Sequence, residues 1–334
     1  MTPKTMLLVA NVAINQKSYE NAQQVLEKIL KYKISDDTIR NVVNFIGKLV
    51  YEEGLKINKI LLKEKYDLLN NNYSKSDEIF YIETDGNFVH LLNKGTTGST
   101  WHENKIGLVF STDNIETRSN QQGEIYRIIN KKEYISYFCP VEEFKKYLYC
   151  LALKNQYYKF KTCILISDGA TWIKKFKKEY LPESIHILDY YHLVENTGKF
   201  AKFIYKSNEL FAKETADRWC KLLRNSQYDQ VLKELENFKD IKVSEGSVNL
   251  YSYIINNIDS INYRDYEEKR YIIGSGGIEG ANKYVIQSRM KLSGMRWRSD
   301  TSKYIATLRA KFCSQLWGEV EDIVKNYFSL QNSF

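Results

Sequence analysis

An apolar run, Cys163-Ile164-Leu165-Ile166, is followed at once by the polar turn Ser167-Asp168-Gly169-Ala170. A short run of this kind, closed by turn residues, is typical of a strand that is buried on both faces of a sheet. A helical pattern follows from Trp172 to Tyr180, and a short strand pattern covers Ile185 to Leu188. Strand and helix alternate here, which is the pattern of an α/β sheet.

Three further strands are predicted before this segment. The first, Ile79-Phe80-Tyr81-Ile82, is expected to end at Glu83-Thr84-Asp85-Gly86. The second covers Ile106 to Ser111 and the third Tyr134 to Phe138, and a helix is predicted from Val141 to about Asn155. Three strands in succession, then alternating strands and helices, predict a mixed sheet with flanking helices.

The N-terminal region carries two helical patterns within residues 18–53. Ser35 or Asp36 can cap the second helix. Two helices joined by a short turn fit a helix-turn-helix, whose second helix would present Arg40 and its polar neighbours to DNA. An ordinary helical hairpin explains the same pattern. The polar residues 55–77 are predicted to link this unit to the sheet.

Helical patterns also fill residues 193–270, with no strand pattern of any strength among them. A Gly-rich turn, Gly274-Ser275-Gly276-Gly277, then opens a long helix from about Ile278. The predicted division is therefore a helical unit with its linker, the first part of the core, a helical insertion, and a closing helix with basic C-terminal helices: 1–70, 71–192, 193–273 and 274–334.

Composition narrows the class of protein. The 334 residues carry a net charge of +8, which favours binding to polyanions such as nucleic acid. Five scattered cysteines form no Cys-x-x-Cys pair, so neither a disulfide framework nor a zinc knuckle is predicted. The apolar run from Met6 to Ala10 is too short for a signal peptide, and no run is long enough to span a bilayer. We therefore expect a cytoplasmic protein.

Three carboxylates occupy positions that suit a metal site. Asp85 is expected to follow the first strand, Asp168 follows the buried strand, and Glu279 begins a helix after the Gly-rich turn. Oxygen ligands of this kind are preferred by Mg²⁺, and two such ions can drive an in-line phosphoryl displacement. Each residue also has a plain structural explanation, as a turn residue, a helix cap or a first-turn acid.

Asp189-Tyr190-Tyr191-His192 adds a fourth group at the end of the strand 185–188. Asp189 and His192 share one face of a first helical turn. They are candidates for auxiliary residues beside the metal site, with His192 orienting a ligand or contacting phosphate. Alternatively, Asp189 is an N-cap with His192 packed nearby.

The chain after Glu279 is basic and suits a DNA backbone. Trp297 within it could stack on a base. A solvated helix face with a core Trp is the alternative. The candidate DNA-binding residues here are Lys283, Arg289, Lys291, Arg296, Trp297 and Arg298.

Several of these segments together resemble one family. The segments are Tyr81-Ile82-Glu83-Thr84-Asp85-Gly86, Ser167-Asp168-Gly169-Ala170 with Trp172-Ile173, Asp189-Tyr190-Tyr191-His192, and the stretch from Gly274 to Lys283 that continues to Trp297. They resemble the Lre-type bacterial insertion-sequence transposases, long classed as an uncharacterised protein family. That family is allied to the Mutator-type DDE transposases. The resemblance covers roughly Leu7 to Trp317.

The resemblance implies an RNase H-like catalytic core. It implies that Asp85, Asp168 and Glu279 hold Mg²⁺ or Mn²⁺, as two ions, and that activated water nicks the ends of the element. The freed 3′-hydroxyl would then attack target DNA at the same site. Asp189 and His192 match the Asp-x-x-His signature of that clade.

The resemblance also sets the expected partners. Double-stranded DNA would be the substrate, bound by a homodimer or larger assembly on the nucleoid, and the helical residues 193–270 would contact DNA or a second protomer. Relatives usually carry a further N-terminal segment, so we expect this chain to be a shortened copy.

Competing functions can be tested on the sequence itself. Tyrosine recombinases need a His-x-x-Arg box, and no histidine of this chain has Arg at that offset. The Gly-rich turn differs from G-x-G-x-x-G because Glu279 stands where the last glycine would be. A DNA-binding protein without catalytic activity, or a decayed transposase, remains open as the alternative.

Overall fold

The computed structural model describes residues 1–93, 98–120, 122–123, 125–244 and 247–331. Parts of the predicted ranges 71–192, 193–273 and 274–334 thus lie outside the described residues. The chain forms two compact units. The first unit is Met1–Lys161 with Gly277–Phe334, and the second unit is Thr162–Gly276.

The strands, in chain order, are β1 (Ser76–Leu92), β2 (Ser99–Ser111), β3 (Ile115–Ser119), β4 (Ile125–Ile129), β5 (Glu133–Tyr137), β6 (Phe160–Ser167) and β7 (Ile185–Leu188).

The helices are α1 (Pro3–Asn15), α2 (Tyr19–Leu30), α3 (Asp36–Asn70), α4 (Val141–Lys154), α5 (Thr171–Tyr180), α6 (Tyr190–Ile204), α7 (Glu209–Arg224), α8 (Tyr228–Leu235), α9 (Leu250–Asn256), α10 (Tyr263–Glu268), α11 (Gly276–Ala281), α12 (Ser288–Met290), α13 (Ser299–Cys313) and α14 (Trp317–Gln331). A π-helical turn, Asn282–Gln287, joins α11 to α12. We call the continuous stretch 276–290 the closing helix.

Antiparallel strands form the sheet of the first unit. β1 pairs with β2 over the whole length of β2, and β2 pairs with β5 on its other side. β3 and β4 form a separate two-stranded hairpin that the sequence did not predict. The predicted end of the first strand at Asp85-Gly86 is wrong, because β1 continues to Leu92 with Asp85 opposite Ile106.

Helices complete the first unit. Ser35 caps α3 by accepting a hydrogen bond from the Thr38 N–H, as the sequence predicted. The predicted polar linker is wrong over much of its length, since α3 runs without interruption to Asn70. Gly47 lets α3 approach α13 closely, because a Cβ there would lie 2.5 Å from the Tyr304 Cβ.

Parallel strands begin the second unit. β6 pairs with β7 in parallel, with Ile164 opposite Ile185, and α5 connects the two strands. Ile164, Leu165 and Ile166 are fully buried, as expected of a strand covered on both faces. Helices α6 to α10 follow within the same unit, so the predicted insertion 193–273 lies together with β6, α5 and β7.

The predicted fold class is confirmed. Three antiparallel strands, a helix, and then two parallel strands joined by a helix make this a mixed α/β protein. This order and these pairings are those of an RNase H-like core. Among the described helices, none combines the length and the apolar character that crossing a membrane requires.

Candidate active site

The strand β1 carries the first predicted carboxylate within its length. Asp85 is half-buried, and its Oδ1 accepts a hydrogen bond of 2.7 Å from the Gly86 N–H. Glycine follows for a steric reason, because a Cβ at Gly86 would lie 2.7 Å from a carboxylate oxygen of Glu103 on β2. The neighbouring hairpin strand therefore constrains the backbone that presents Asp85.

The closing helix begins against β1. The Ile278 N–H donates to the carboxylate of Glu83 at 2.7 Å, and Glu83 is only 1% exposed. A Cβ at Gly277 would lie 2.7 Å from Leu108 Cδ2 and 2.8 Å from Glu83 Oε2. The glycine thus allows the first helical turn to come close enough to the strand for this hydrogen bond to form.

A second contact lies one turn further along the closing helix. The buried Asn282 donates through Nδ2 to Asp85 Oδ2 at 2.5 Å, and its Oδ1 accepts from Asn87 Nδ2 at 2.7 Å. Glu279 is exposed and stands in the chain between the two contact points, Ile278 and Asn282. The structure therefore brings the segment that carries Glu279 onto the segment of β1 that carries Asp85.

The two carboxylates of the first unit fit a hard cation. Asp85 and Glu279 offer the oxygen donors that Mg²⁺ prefers. The buried Asn87 Oδ1, two residues along the strand from Asp85, has no hydrogen-bond partner in the described part of the chain. Within those same residues, no group of three or more His, Cys, Asp or Glu side chains is already assembled as a metal site.

Asp168 stands in the second unit, directly after β6 as predicted. It is half-buried, and its Oδ1 accepts from the Ala170 N–H at 2.9 Å. The Tyr253 hydroxyl donates to its main-chain carbonyl at 2.7 Å. Gly169 has φ +83°, and a Cβ there would lie 2.7 Å from Leu188 Cδ1, so a side chain would be both strained and crowded.

Asp189 caps α6. It is fully buried, its Oδ1 accepts from the Tyr191 N–H at 2.9 Å, and the Ser275 hydroxyl donates to Oδ2. Its own N–H donates to the Ser167 carbonyl at 2.8 Å. His192 is partly exposed, with Nε2 3.8 Å from Asp189 Oδ2 and Nδ1 4.0 Å from Glu195. Asp189 thus joins the start of α6 to the Gly-rich turn, with His192 beside it.

The structure corrects two of the predicted DNA contacts. Arg289 is 1% exposed, donates to the Ala13 carbonyl at 3.3 Å, and places its guanidinium 4.9 Å from the centre of the Trp297 ring. Trp297 is also buried, and its indole N–H donates to the Met290 carbonyl at 3.0 Å. Neither side chain is available to DNA, because each is used inside the first unit.

The other predicted contacts are accessible. Arg40 is partly exposed and forms an ion pair with Asp37. Contact of these side chains with DNA stays a prediction. The exposed members of the set are Lys283, Lys291, Arg296 and Arg298.

Comparison with known proteins gives a family. The sequence model of the family described as "Uncharacterised protein family (UPF0236)" matches residues 5–326. The chain belongs to this family. The sequence analysis predicted a family long classed as uncharacterised, and the match to UPF0236 confirms that prediction. The finer assignment to the Lre-type and Mutator-type transposases stays a prediction.

Other comparisons add little about the UPF0236 fold or chemistry. No curated protein matches the chain. Among solved structures it is similar to the Drosophila P element transposase strand transfer complex, with a TM-score of 0.39 and 9% identity over 94% of this chain and 92% of that chain. A likeness this weak supports no statement about activity.

Two side chains of this UPF0236 member were missed by the sequence analysis. Asn282 lies in the quoted stretch that ends at Lys283, three residues after Glu279, and this helical spacing was the available signal. Trp101 is 60% exposed and stacks on His90, with ring centres 4.4 Å apart. Its signal was an isolated aromatic residue in an otherwise polar run.

Proposed function

We propose that this chain is a DNA transposase that cleaves and rejoins DNA phosphodiesters through Asp85, Asp168 and Glu279. The observation that carries the proposal is the attachment of the closing helix to β1. This attachment brings the half-buried Asp85 and the exposed Glu279 into one region of the first unit, although they are 194 residues apart in the chain (279 − 85). Rigid attachment of this kind is what a catalytic site requires.

The carboxylates would hold Mg²⁺ or Mn²⁺, as two ions. When bound, such ions activate the attacking oxygen and stabilise the leaving oxygen of an in-line phosphoryl displacement. Asp85 is kept in one orientation by the Gly86 N–H and by Asn282, so its carboxylate is preset for a ligand. Within the described part of the chain, Glu279 forms no hydrogen bond or ion pair, which leaves its carboxylate free to bind a metal ion.

Asp168 joins this set on sequence grounds. It directly follows the buried strand β6, and the segment around it resembles the second catalytic block of the Lre-type transposases. Asp189 orients α6 through the hydrogen bond that it accepts from the Tyr191 N–H. We assign to His192, which lies beside it, a contact with phosphate. Both are auxiliary residues in this proposal.

The substrate would be double-stranded DNA. Exposed cations at Lys283, Lys291, Arg296 and Arg298 would neutralise backbone phosphates. Transposition requires two DNA ends to be held together, so the active form would be at least a homodimer. Attack of water on a phosphodiester at the element's end would free a 3′-hydroxyl and leave a 5′-phosphate on the other side of the nick. The freed 3′-hydroxyl would then attack a phosphodiester of the target strand and release a 3′-hydroxyl of that strand.

The test is cleavage of labelled DNA that carries the terminal repeats of the element encoding this chain, in Mg²⁺ and then in Mn²⁺. The wild type is compared with Asp85→Asn and Glu279→Gln. The matched control is Glu214→Gln, which changes an exposed acid on α7. We expect metal-dependent nicking by the wild type and the control, and none by either active-site variant, with DNA binding retained.

Each outcome distinguishes the candidate functions. Nicking that survives in Asp85→Asn contradicts the assignment of the carboxylates. DNA binding by the wild type without nicking in either metal identifies a non-catalytic DNA-binding protein or a decayed transposase. Nicking without the later joining step limits the function to a nuclease.

A further inference from the structure

A cleft of about 270 Å³ opens between the β1–β2 hairpin and the loop 291–298 of the first unit. We call it the aromatic cleft. Its main lining side chains are His90, Trp101, Met290, Lys291, Met295 and Arg296.

Trp101 gives the cleft an unusual surface. The side chain is 60% exposed, although an indole contributes large stabilisation when it is buried. It stacks on His90 at 4.4 Å with 26° between the ring planes, and the two rings form a small platform on the hairpin. Trp is enriched at interfaces because its apolar ring and its N–H can both be used there.

The opposite wall of the cleft is held rigidly. The Trp297 N–H donates to the His90 carbonyl at 3.0 Å, and the Leu92 N–H donates to the Trp297 carbonyl at 2.8 Å. Trp297 in turn is buried against the guanidinium of Arg289. The loop is therefore fixed along the outer part of β1, and a ligand would meet a preformed site.

The charged side chains that line the cleft are of one sign. Lys291 and Arg296 line the cleft, and the exposed Arg298 lies two residues further on. None of these three cations forms an ion pair with another of the described residues. An exposed aromatic platform flanked by unpaired cations matches the chemistry of single-stranded nucleic acid, whose bases stack while its phosphates bind cations. An apolar protein partner would leave those charges unsatisfied.

We propose that the aromatic cleft receives an unpaired nucleobase at a DNA end, stacked on Trp101, with the neighbouring phosphates bound by Lys291 and Arg296. This inference rests on the proposed function only in taking DNA as the substrate. It assigns to the β1–β2 hairpin the recognition of a frayed or single-stranded end, a role separate from the carboxylates.

The test measures binding without cleavage. The full chain is titrated in EDTA with a duplex that carries a short single-stranded overhang containing 2-aminopurine, and with the matching blunt duplex. Stacking on an indole quenches 2-aminopurine fluorescence. Trp101→Ala and Trp101→Phe are compared with Tyr126→Ala, which removes an exposed aromatic side chain from the separate β3–β4 hairpin. Arg296→Gln tests the phosphate contact.

We expect the wild type to prefer the overhang duplex and to quench the probe. Trp101→Ala should lose the quenching and bind the overhang about 5- to 100-fold more weakly, with blunt-duplex affinity unchanged. Trp101→Phe should retain part of the preference, and Arg296→Gln should weaken binding of the overhang with quenching intact at saturation. Tyr126→Ala should behave as the wild type.

Equal overhang affinity and equal quenching in the wild type and Trp101→Ala would overturn the proposal. So would a Trp101→Ala protein that changes its molar mass in light scattering but not its DNA affinity, since the platform would then be an interface between copies. Nicking without any preference for the overhang contradicts the inference about the aromatic cleft and leaves the catalytic proposal standing. A Trp101-dependent preference in a chain that never nicks supports it and contradicts the catalytic proposal.

Discussion

Asn282 shows how a single amide can control the orientation of a carboxylate. It donates to Asp85 and accepts from Asn87, and both partners lie on β1. The amide cannot rotate without losing one of these bonds, so Asp85 is held in one orientation. In the proposed enzyme this makes Asn282 a positioning residue, one helical turn from Glu279.

Asn282→Ala is predicted to slow cleavage by about 10- to 100-fold, because a small displacement of a reacting group has effects of that size. It should also lower the free energy of unfolding by about 1–3 kcal/mol, since the buried Asn87 amide loses its partner. Cleavage rates at a temperature where the variant is folded, and urea unfolding, provide the measurements. Gln287→Ala, on an exposed position of the same helix, is the control, and equal rates for the two variants would remove the positioning role.

His186 makes stability depend on pH. It is buried between the hydroxyls of Ser167 and Ser260, at 2.9 Å from each. Burial lowers its pKa to about 4, and the nearby Lys174 and Lys177 act in the same direction. The folded state therefore holds the neutral imidazole. Its contribution to stability is complete above the unfolded pKa of about 6.5 and is lost as pH falls towards 4.

Between pH 7 and pH 5.5 this group should lower the free energy of unfolding by about 1 kcal/mol. Urea unfolding at the two pH values measures the difference in the wild type and in His186→Gln. The pH dependence should be weaker in that variant, while the exposed His102→Gln should keep it. An identical loss in all three proteins would show that other groups cause it.

At the scale of elements, two glycines of the closing helix differ in the space available for a side chain. A Cβ at Gly277 would meet Leu108 and the buried carboxylate of Glu83, whereas a Cβ at Gly280 would meet no atom within 4 Å. Of these two glycines, only Gly277 lies where the closing helix packs closely against the sheet. The second is an ordinary helical position, where alanine is favoured over glycine.

Gly277→Ala is therefore predicted to lower the free energy of unfolding by about 1–3 kcal/mol through overpacking. Gly280→Ala should raise it by about 0.5–1 kcal/mol. Thermal unfolding of the two variants beside the wild type measures both effects. Equal shifts of the same sign would mean that the helix does not depend on close approach to the strand.

The elements also show what a sequence pattern can predict. The bounds of α5 and β7 were predicted to within one residue, and the end of β6 likewise, because uninterrupted apolar runs and helical spacing were both present. The start of β6 was predicted three residues late, since Phe160-Lys161-Thr162 is not an apolar run. The end of β1 was predicted wrongly, since Asp85-Gly86 is locally a turn signal while pairing with β2 keeps the strand extended. The helix α3 was not predicted beyond residue 53, because most of the residues there are polar. The sequence composition does not show that one face of this segment packs against other elements.

The same limit applies to the candidate site. The carboxylates could be named from the end of β6, the Gly-rich turn and the resemblance, although Asp85 lies within β1 and not at its end. The burial of Arg289 and Trp297 could not, because the contacts that bury them join residues far apart in the chain, such as the 276 positions between Arg289 and Ala13. A charged or aromatic residue in a basic run gives no local sign of the face on which it lies.

At the scale of the whole molecule, the chain leaves the first unit after Lys161 and returns to it at Gly277. The hydrogen bond between Asn282 and Asp85 joins positions separated by 197 residues. The site of the first unit can therefore form only when the two parts of that unit, before Thr162 and after Gly276, have come together. Long-range closure of this kind slows folding more than it lowers stability.

The net charge of +8 predicts a DNA affinity that falls steeply with salt, because each neutralised phosphate releases counterions. The exposed and buried cations of the C-terminal region should then differ in their contribution to this salt dependence. Replacing Lys291, Arg296 or Arg298 by Gln should flatten the slope of log K against log salt by about 0.9 for each lost contact with a duplex. Arg289→Met should leave that slope unchanged and lower the midpoint of thermal unfolding, because this guanidinium is used inside the first unit.

Fluorescence anisotropy with a blunt duplex at several salt concentrations measures these slopes. Arg127→Gln, at an exposed position on β4, is the matched control for loss of one positive charge. If Arg127→Gln flattens the slope as much as Arg296→Gln, net charge alone governs binding and the loop 291–298 has no special role. If only the loop variants flatten it, the DNA backbone passes over this loop, and the buried Arg289 and Trp297 support the surface that binds it.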